Sequence, residues 1–400
     1  IDYRKIRSQL DFQHVPKMTK KNYFQQYPLK DLLLDGGLED ARVISMSSGS
    51  TGKPFAWARG SLSVAQSADI LDDLYAKNFA TKRLETLCIV AYAMGTWIAG
   101  TYMYSALLEL ANRGHKLVVV TPGINKEEIA HIFRELGPLF DQVLIMGYPP
   151  FIKDVIEYSL EQRIDLRALN LKFMFSSEHF TEVWRDYVLN KVAPNYGPSN
   201  STNLYGAADT GIIGMESLLL QHCRRIIDKD LSLSKKLFPD STVLPTLVDF
   251  DPTIRYVELV KGNLVITMRN SIPLVRYDIQ DRGLVLTETE LVNTIKSGGH
   301  HIPAKMLSVK PKLIIALYGR VDVATMFYGV NIYPENIGKV LETHINDSVT
   351  GKFRVGTRID SKQEQSLHIY IETKNNVVVN DELRKMLLKE LNLHMRKVNT

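Results

Sequence analysis

Eight consecutive residues, Ser47-Ser48-Gly49-Ser50-Thr51-Gly52-Lys53-Pro54, gather four hydroxyls, two glycines and a lysine between two short apolar runs. That composition suits a polyphosphate. Glycines let backbone N–H groups turn inward, hydroxyls add neutral donors, and a lysine brings a mobile positive charge. A polar turn has the same composition. A Walker A loop needs four residues between its first glycine and its Gly-Lys pair, then Ser or Thr. Here only Ser50 and Thr51 separate Gly49 from Gly52, and Pro54 follows Lys53. Pro54 also disfavours helix at Lys53. The flanking runs 43–46 and 55–58 read as strands, so the loop joins strand to strand.

Further groups capable of chemistry lie downstream. Asp209 closes Asn203-Leu204-Tyr205-Gly206-Ala207-Ala208-Asp209, and Asp281 closes Pro273-Leu274-Val275-Arg276-Tyr277-Asp278-Ile279-Gln280-Asp281. Arg320 and Asp322 share Gly319-Arg320-Val321-Asp322. A carboxylate suits a hard divalent cation, and it can accept hydrogen bonds from two neighbouring hydroxyls. Each has a plainer reading as well: a turn or cap residue for Asp209, an ion pair with Arg276 or Arg282 for Asp281, a linker acid for Asp322.

The elements that must hold these groups follow from periodicity. Strands at 87–92, 116–120, 142–147 and 171–175 alternate with helices near 96–113, 126–136, 150–162 and 181–190. Such alternation indicates parallel βαβ units, whose ligands collect at the carboxyl ends of the strands. From 241 the texture is β-rich, with a hairpin of 256–260 and 264–268 turning at Lys261-Gly262-Asn263, and a smaller sheet or barrel is expected. Beyond 320, a helix at 334–344, strands at 353–358 and 368–373 and a helix at 381–391 indicate a small α+β unit. The fold class is α/β: βαβ units plus a β-rich subdomain, then a small α+β C-terminal domain, divided as 1–240, 241–321 and 322–400.

Composition narrows the function classes. With 400 residues, two or three domains are expected. The net charge of +5, from 49 basic and 44 acidic residues, is scattered and argues weakly for nucleic acid. Cys88 and Cys223 lack metal or redox spacing, so a reducing cytoplasm is expected. The first 13 residues lack the apolar core of a signal peptide. The apolar stretch 87–111 carries Gly95, Gly100, Ser105 and Glu109 and reads as a strand, a turn and a buried helix, not a membrane span.

Taken in order, the loop, the segments ending at Asp209 and Asp281, Gly319-Arg320-Val321-Asp322, and Gly329-Val330-Asn331-Ile332-Tyr333-Pro334 resemble the adenylate-forming superfamily. That superfamily comprises acyl- and aryl-coenzyme A synthetases and peptide-synthetase adenylation domains, and the closest likeness is to the phenylacetate-coenzyme A ligase branch. It runs from about Thr19 to the C-terminal region. The resemblance implies activation of a carboxylic acid by ATP and Mg2+ to an acyl-adenylate, then transfer to coenzyme A, a carrier-protein thiol or an amine. Such chemistry rests on positioning and charge stabilisation. By likeness, Ser48, Gly49, Ser50, Thr51, Gly52 and Lys53 hold the β- and γ-phosphates, and Asp209 holds magnesium. Tyr205 and Gly206 lie near the adenine, Asp281 anchors the ribose, and Arg320 serves the ribose and phosphate side. Asp322 is the hinge. Tyr92, Met94, Gly95, Trp97, Tyr148 and Pro149 lie on segments lining the acid pocket, and would suit an aromatic or medium apolar acid. Glu178 lies in the region that approaches the adenine, or caps the next helix. A homodimer is left open.

Departures from the pattern accompany the likeness. Asp209 stands where the family carries glutamate, and Ala208 replaces a hydroxyl residue. The family's C-terminal Gly-Lys catalytic motif has no match, since Gly351-Lys352 falls too early and Lys385, Lys389 and Lys397 have no neighbouring glycine. A trimmed chain or a divergent member is therefore expected. The alternative function is a weak or inactive adenylate-binding homologue that acts as a sensor.

Overall fold

Unbroken apolar runs become the centre of a sheet because both of their faces are covered. The computed structural model describes residues 3–34, 38–39, 41–46, 55–96, 98–193, 196–241, 243–320, 325–327, 330–332, 334–344, 347–359 and 365–398. Its strands are β1 (Ala41–Met46), β2 (Ala56–Gly60), β3 (Thr86–Ala91), β4 (Leu117–Val120), β5 (Gln142–Gly147), β6 (Leu171–Ser176), β7 (Ser201–Ala207) and β8 (Gly211–Met215). There follow β9 (Thr246–Phe250), β10 (Tyr256–Val260), β11 (Asn263–Met268), β12 (Leu274–Thr287), β13 (Leu313–Arg320), β14 (Thr325–Phe327), β15 (Val330–Ile332), β16 (Val349–Ile359) and β17 (Gln365–Thr373).

One 11-stranded sheet, ordered β10-β11-β12-β13-β9-β8-β7-β6-β5-β3-β4, organises the molecule. From β4 to β7 the pairing is parallel, as the βαβ alternation predicts. From β7 to β10 it is antiparallel. The expected smaller sheet or barrel is thus corrected: the β-rich segment extends the large sheet. Alternation marks a strand but not its partner, and β13 and β9 supply the join that local pattern does not reveal. The hairpin turn is as expected, with Val260 opposite Asn263 and positive φ at Lys261 and Gly262.

Helices cover both faces of the parallel half. Helix Lys126–Glu135 begins where the Asn125 side chain accepts from Glu128 N–H at 3.1 Å. Its Ile129, Ile132 and Phe133 enter a core with Ile152, Val155 and Val188 from the following helices. On the opposite face, helices Ser61–Asn78 and Ile98–Asn112 bury Leu71, Tyr75, Leu107 and Leu110. No described helix is long and apolar enough to cross a membrane.

The C-terminal α+β segment has its own core. Ile337, Val340 and Leu341 of helix Pro334–His344 pack with Val349, Leu383 and Leu391. It also touches the sheet-bearing part of the chain: Lys153 Nζ donates to the Thr350 carbonyl at 3.4 Å, and Lys352 pairs with Asp154 at 2.5 Å.

Candidate active site

The carboxyl ends of β6 and β7 and the middle of β12 converge on one region. Strand β6 runs into Ser177, at φ 74°, and β12 carries Arg276 at φ 46° and Gln280 at φ 65°. Non-glycine residues in the left-handed region cost energy and persist where their surroundings impose them. Gly206 meets a different demand: a Cβ there would lie 2.7 Å from the Gly211 carbonyl, so only glycine allows β7 and β8 this approach. The N-terminal segment docks along β12, with Met18 N–H donating to the Arg276 carbonyl at 3.0 Å and Asp278 N–H to the Met18 carbonyl at 2.9 Å. This brings Lys17 to Asp278 at 2.5 Å and Lys20 to Asp209 at 3.6 Å.

A cleft of about 500 Å³ opens here, between the sheet and the C-terminal segment, and Tyr205, Asp209, Asp281 and Lys20 lie in its lining. Tyr205 Oη donates to Asp281 Oδ2 at 2.6 Å, both residues being buried. Asp209, also buried, accepts from the Tyr277 hydroxyl as well as facing Lys20. Arg276 turns away from Asp281 and pairs with Glu258 at 3.0 Å.

The opposite wall is acidic, with Glu178, Glu335 and Glu342 in its lining. Burial raises the carboxyls of Glu178 and Glu335 above the usual range. It pushes Glu342, which accepts from Thr181 N–H at 3.3 Å and Thr181 Oγ1 at 2.8 Å, up to about 7. His179 is held down to about 3, first by burial and then by the charges of Arg224 and Lys339.

A second, smaller pocket of about 140 Å³ lies against the first, lined by Tyr92, Ile98, Ala99, Tyr102, Met103 and Ile212. Ser177, Leu204, Gly206, Ala207 and Ala208 line both spaces. Strand β7 is therefore the partition between a polar cleft and an apolar pocket. The small pocket is close in size to an engineered cavity of ~150 Å³ that accepts benzene. The Tyr92 hydroxyl meets Ser176 Oγ at 2.8 Å.

The residues expected from sequence distribute as follows. Tyr205, Gly206, Asp209, Asp281, Glu178 and Pro149 line the cleft, and Tyr92 lines the small pocket. Gly95 and Tyr148 line neither: Gly95 turns the chain after β3 at φ 78°, and the Tyr148 ring lies 5.6 Å from that of Phe151. Met94 packs at Gly100, where a Cβ would meet its sulfur. Arg320 stands opposite Asp281 in the β12–β13 register. Ser48, Gly49, Ser50, Thr51, Gly52, Lys53, Trp97 and Asp322 lie outside the described residues. β1 and β2 are the strands expected on either side of the loop, and they pair antiparallel. Lys20, Lys153 and Tyr277 are site residues that sequence reasoning missed. Lys20 and Lys153 sit in no motif, Tyr277 lies inside the segment that Asp281 closes, and their approach depends on contacts between distant segments.

No protein-family model matches the chain, and no curated protein matches it in sequence. Solved structures do match. The crystal structure of 2-hydroxyisobutyryl-CoA ligase in the postadenylation state, in complex with 2-HIB-AMP, superposes with a TM-score of 0.67 at 16% identity, covering 100% of this chain and 77% of that one. The likeness is one of fold: this chain has the fold of that ligase. Amide bond synthetase McbA from Marinactinospora thermotolerans shares this fold at a TM-score of 0.53 and 12% identity, covering 89% of this chain and 63% of that one. ATP-bound MatB from Rhodopseudomonas palustris does so at 0.51 and 12%, covering 90% and 62%.

Proposed function

We propose that this protein is an ATP-dependent acid ligase that converts a carboxylic acid to its acyl-adenylate. The observation that carries the reading is the partition at Gly206-Ala207-Ala208, which separates a polar cleft from an apolar pocket of small-acid size. A nucleotide in the cleft and an acid in the pocket would meet across glycine and alanine backbone, with no bulky side chain between them. In the reaction, a carboxylate oxygen attacks the α-phosphorus and the bond from that phosphorus to the bridging oxygen breaks. Pyrophosphate leaves. A thiol such as that of coenzyme A, or an amine, then attacks the acyl carbon, AMP departs, and the acceptor's proton passes to solvent.

In this reading Asp281 accepts from the ribose hydroxyls while Tyr205 fixes its carboxylate. The loop from Ser48 to Lys53 takes the β- and γ-phosphates, and Arg320 serves the ribose and phosphate side. Tyr92 flanks the acid. The family's magnesium fits the donor set: Asp209 offers hard carboxylate oxygens at the cleft, and magnesium is commonly held by one or two carboxylates plus substrate phosphates. When bound, it would neutralise phosphate charge beside Asp209. Lys20, 3.6 Å from the same carboxylate, supplies positive charge from this chain. The residues 322–400 form the mobile C-terminal domain of this scheme, with Asp322 as its hinge.

Hydroxylamine trapping tests the reading. Incubation with ATP, magnesium and a panel of small aliphatic and aryl acids should yield a hydroxamate with at least one acid, and AMP in equal amount. ATP hydrolysis to ADP, or no hydroxamate with any acid despite ATP binding, contradicts it.

A further inference from the structure

Among the described residues lining the small pocket, four carry a polar side chain, Tyr92, Tyr102, Ser176 and Ser177, and none carries a charge. Tyr102 is already committed elsewhere: its hydroxyl donates to the Ser63 carbonyl at 2.7 Å and accepts from Ser67 Oγ at 2.6 Å. Both partners belong to helix Ser61–Asn78, and neither lines the pocket. The other three hydroxyls form a chain, Tyr92 Oη to Ser176 Oγ at 2.8 Å and Ser176 Oγ to Ser177 Oγ at 3.3 Å. These side chains make no further hydrogen bond among the described residues. Tyr92 directly follows β3 and Ser176 ends β6, so the chain lies at the carboxyl ends of parallel strands, where ligands collect.

The valences of this chain do not close on themselves. Each hydroxyl has one donor and two acceptor sites, so three hydroxyls bring three donors while their two contacts use two. Either oxygen can donate in each contact, and the chain therefore runs in either sense. Run from Ser177 inward, it ends on a donor at Tyr92; run outward, it leaves Tyr92 as an acceptor. Ser177 is exposed and lines both the cleft and the pocket, so water completes the outer end. Tyr92 and Ser176 are buried and have no such outlet. Burial pushes the Tyr92 hydroxyl well above its usual value, which keeps it a neutral phenol able to donate and to accept. An unused polar valence in a buried site calls for a partner.

We propose that Tyr92, oriented by Ser176, is the specificity-determining residue of the small pocket, and that the acid activated there is a hydroxy acid whose hydroxyl bonds to Tyr92 Oη. This rests on the adenylation reading. A hydroxyl is itself both donor and acceptor, and so it matches a chain that runs in either sense. The rest of the acid is apolar, because an amino group or a second carboxylate would meet no charged side chain among the described lining residues. Volume limits its size. A space of about 140 Å³ holds one six-membered ring or a short chain, as the benzene-binding cavity of ~150 Å³ does. An apolar pocket alone discriminates weakly between an acid and its hydroxylated form, whereas a site that bonds the hydroxyl rejects the analogue lacking it.

Calorimetric binding and ATP–pyrophosphate exchange test this on the full chain and on Tyr92→Phe and Ser176→Ala, with thermal midpoints confirming that each variant is folded. The probes are benzoate with its three monohydroxy isomers, and butyrate with its three. At least one hydroxy acid should be preferred to its parent by about tenfold, the scale of one buried hydrogen bond. Tyr92→Phe should bring that ratio close to one. Ser176→Ala, which leaves the phenol without its orienting partner, should lower the ratio in part, and it carries the test alone if Tyr92→Phe does not fold. A merely structural role would weaken parent and hydroxy acid alike and leave the ratio unmoved. Parent acids handled as well as every hydroxy form overturn the proposal, as does an unchanged ratio in the folded variants or the failure of every probe to bind. Exchange with a parent acid and no preference for its hydroxy forms would leave adenylation standing and remove the hydroxyl site. A Tyr92-dependent preference in binding, with no exchange for any acid, would do the reverse.

Discussion

The Tyr205 hydroxyl donates to Asp281 at 2.6 Å, tying the end of β7 to the middle of β12 across the cleft. This bond joins the parallel half of the sheet to the antiparallel half within the cleft, where the proposed function puts a nucleoside. It fixes a buried carboxylate in one orientation. Asp281→Asn should weaken AMP binding by about tenfold, since hydrogen bonds to a charged group contribute ~1.5–3 kcal/mol. Tyr205→Phe should have a smaller effect of the same sign. Calorimetric titration with AMP checks both, and unchanged affinity in Asp281→Asn removes the ribose assignment.

Asp209 is expected to act through the metal. Asp209→Asn should raise the magnesium concentration needed for half-maximal exchange by about tenfold or more, as loss of a charged ligand weakens binding to a hard cation. Binding of metal-free AMP should change little. A magnesium titration of exchange rate gives the answer, and an unshifted midpoint contradicts the role.

The contact of Glu342 with Thr181 should be visible in the pH dependence of stability. Burial raises this carboxyl from 4.5 to about 7, so the folded protein keeps a proton that the unfolded chain has already released between those values. Stability must then fall as pH rises through that window and level off above it, a loss on the order of 3 kcal/mol from this group. Glu342→Gln should flatten the slope. Urea unfolding at pH 5 and pH 8 compares the two proteins, and an unchanged slope in the variant contradicts the assignment.

The fully buried pair of Arg185 with Glu216, bonded at 2.8 and 2.9 Å, should dominate local stability. Glu216→Ala removes the bidentate acceptor, leaves Arg185 with Glu182 at 3.2 Å, and should cost about 3 kcal/mol, the low end of the range for a broken buried pair. Urea denaturation measures this, and a loss below 1 kcal/mol would show that water replaces the carboxylate.

Much of the fold is legible locally. The apolar runs of β3 and β5, the Lys261-Gly262 turn and the cap at Asn125 are decided by residues within a few positions, and each element forms where the pattern places it. The joining of the β-rich segment to the main sheet was hidden, because partner choice depends on distant strands. Helix Ser61–Asn78 gave a weak signal, with Ser63 and Ser67 buried among its apolar residues. At the site, Asp209 and Asp281 stood out because each closes a motif, and both line the cleft. Lys20 reaches it through one short bridge of Met18 to Tyr277, and a lone lysine in an N-terminal segment carries no such signal.

The adenylation reading stands most directly on ATP–pyrophosphate exchange. The full chain, with magnesium, ATP and a panel of aryl, short aliphatic and dicarboxylic acids, should show exchange that depends on the acid and falls at least about tenfold in Asp209→Ala and Lys53→Ala. ATP binding with no acid-dependent exchange for any member of the panel would contradict it.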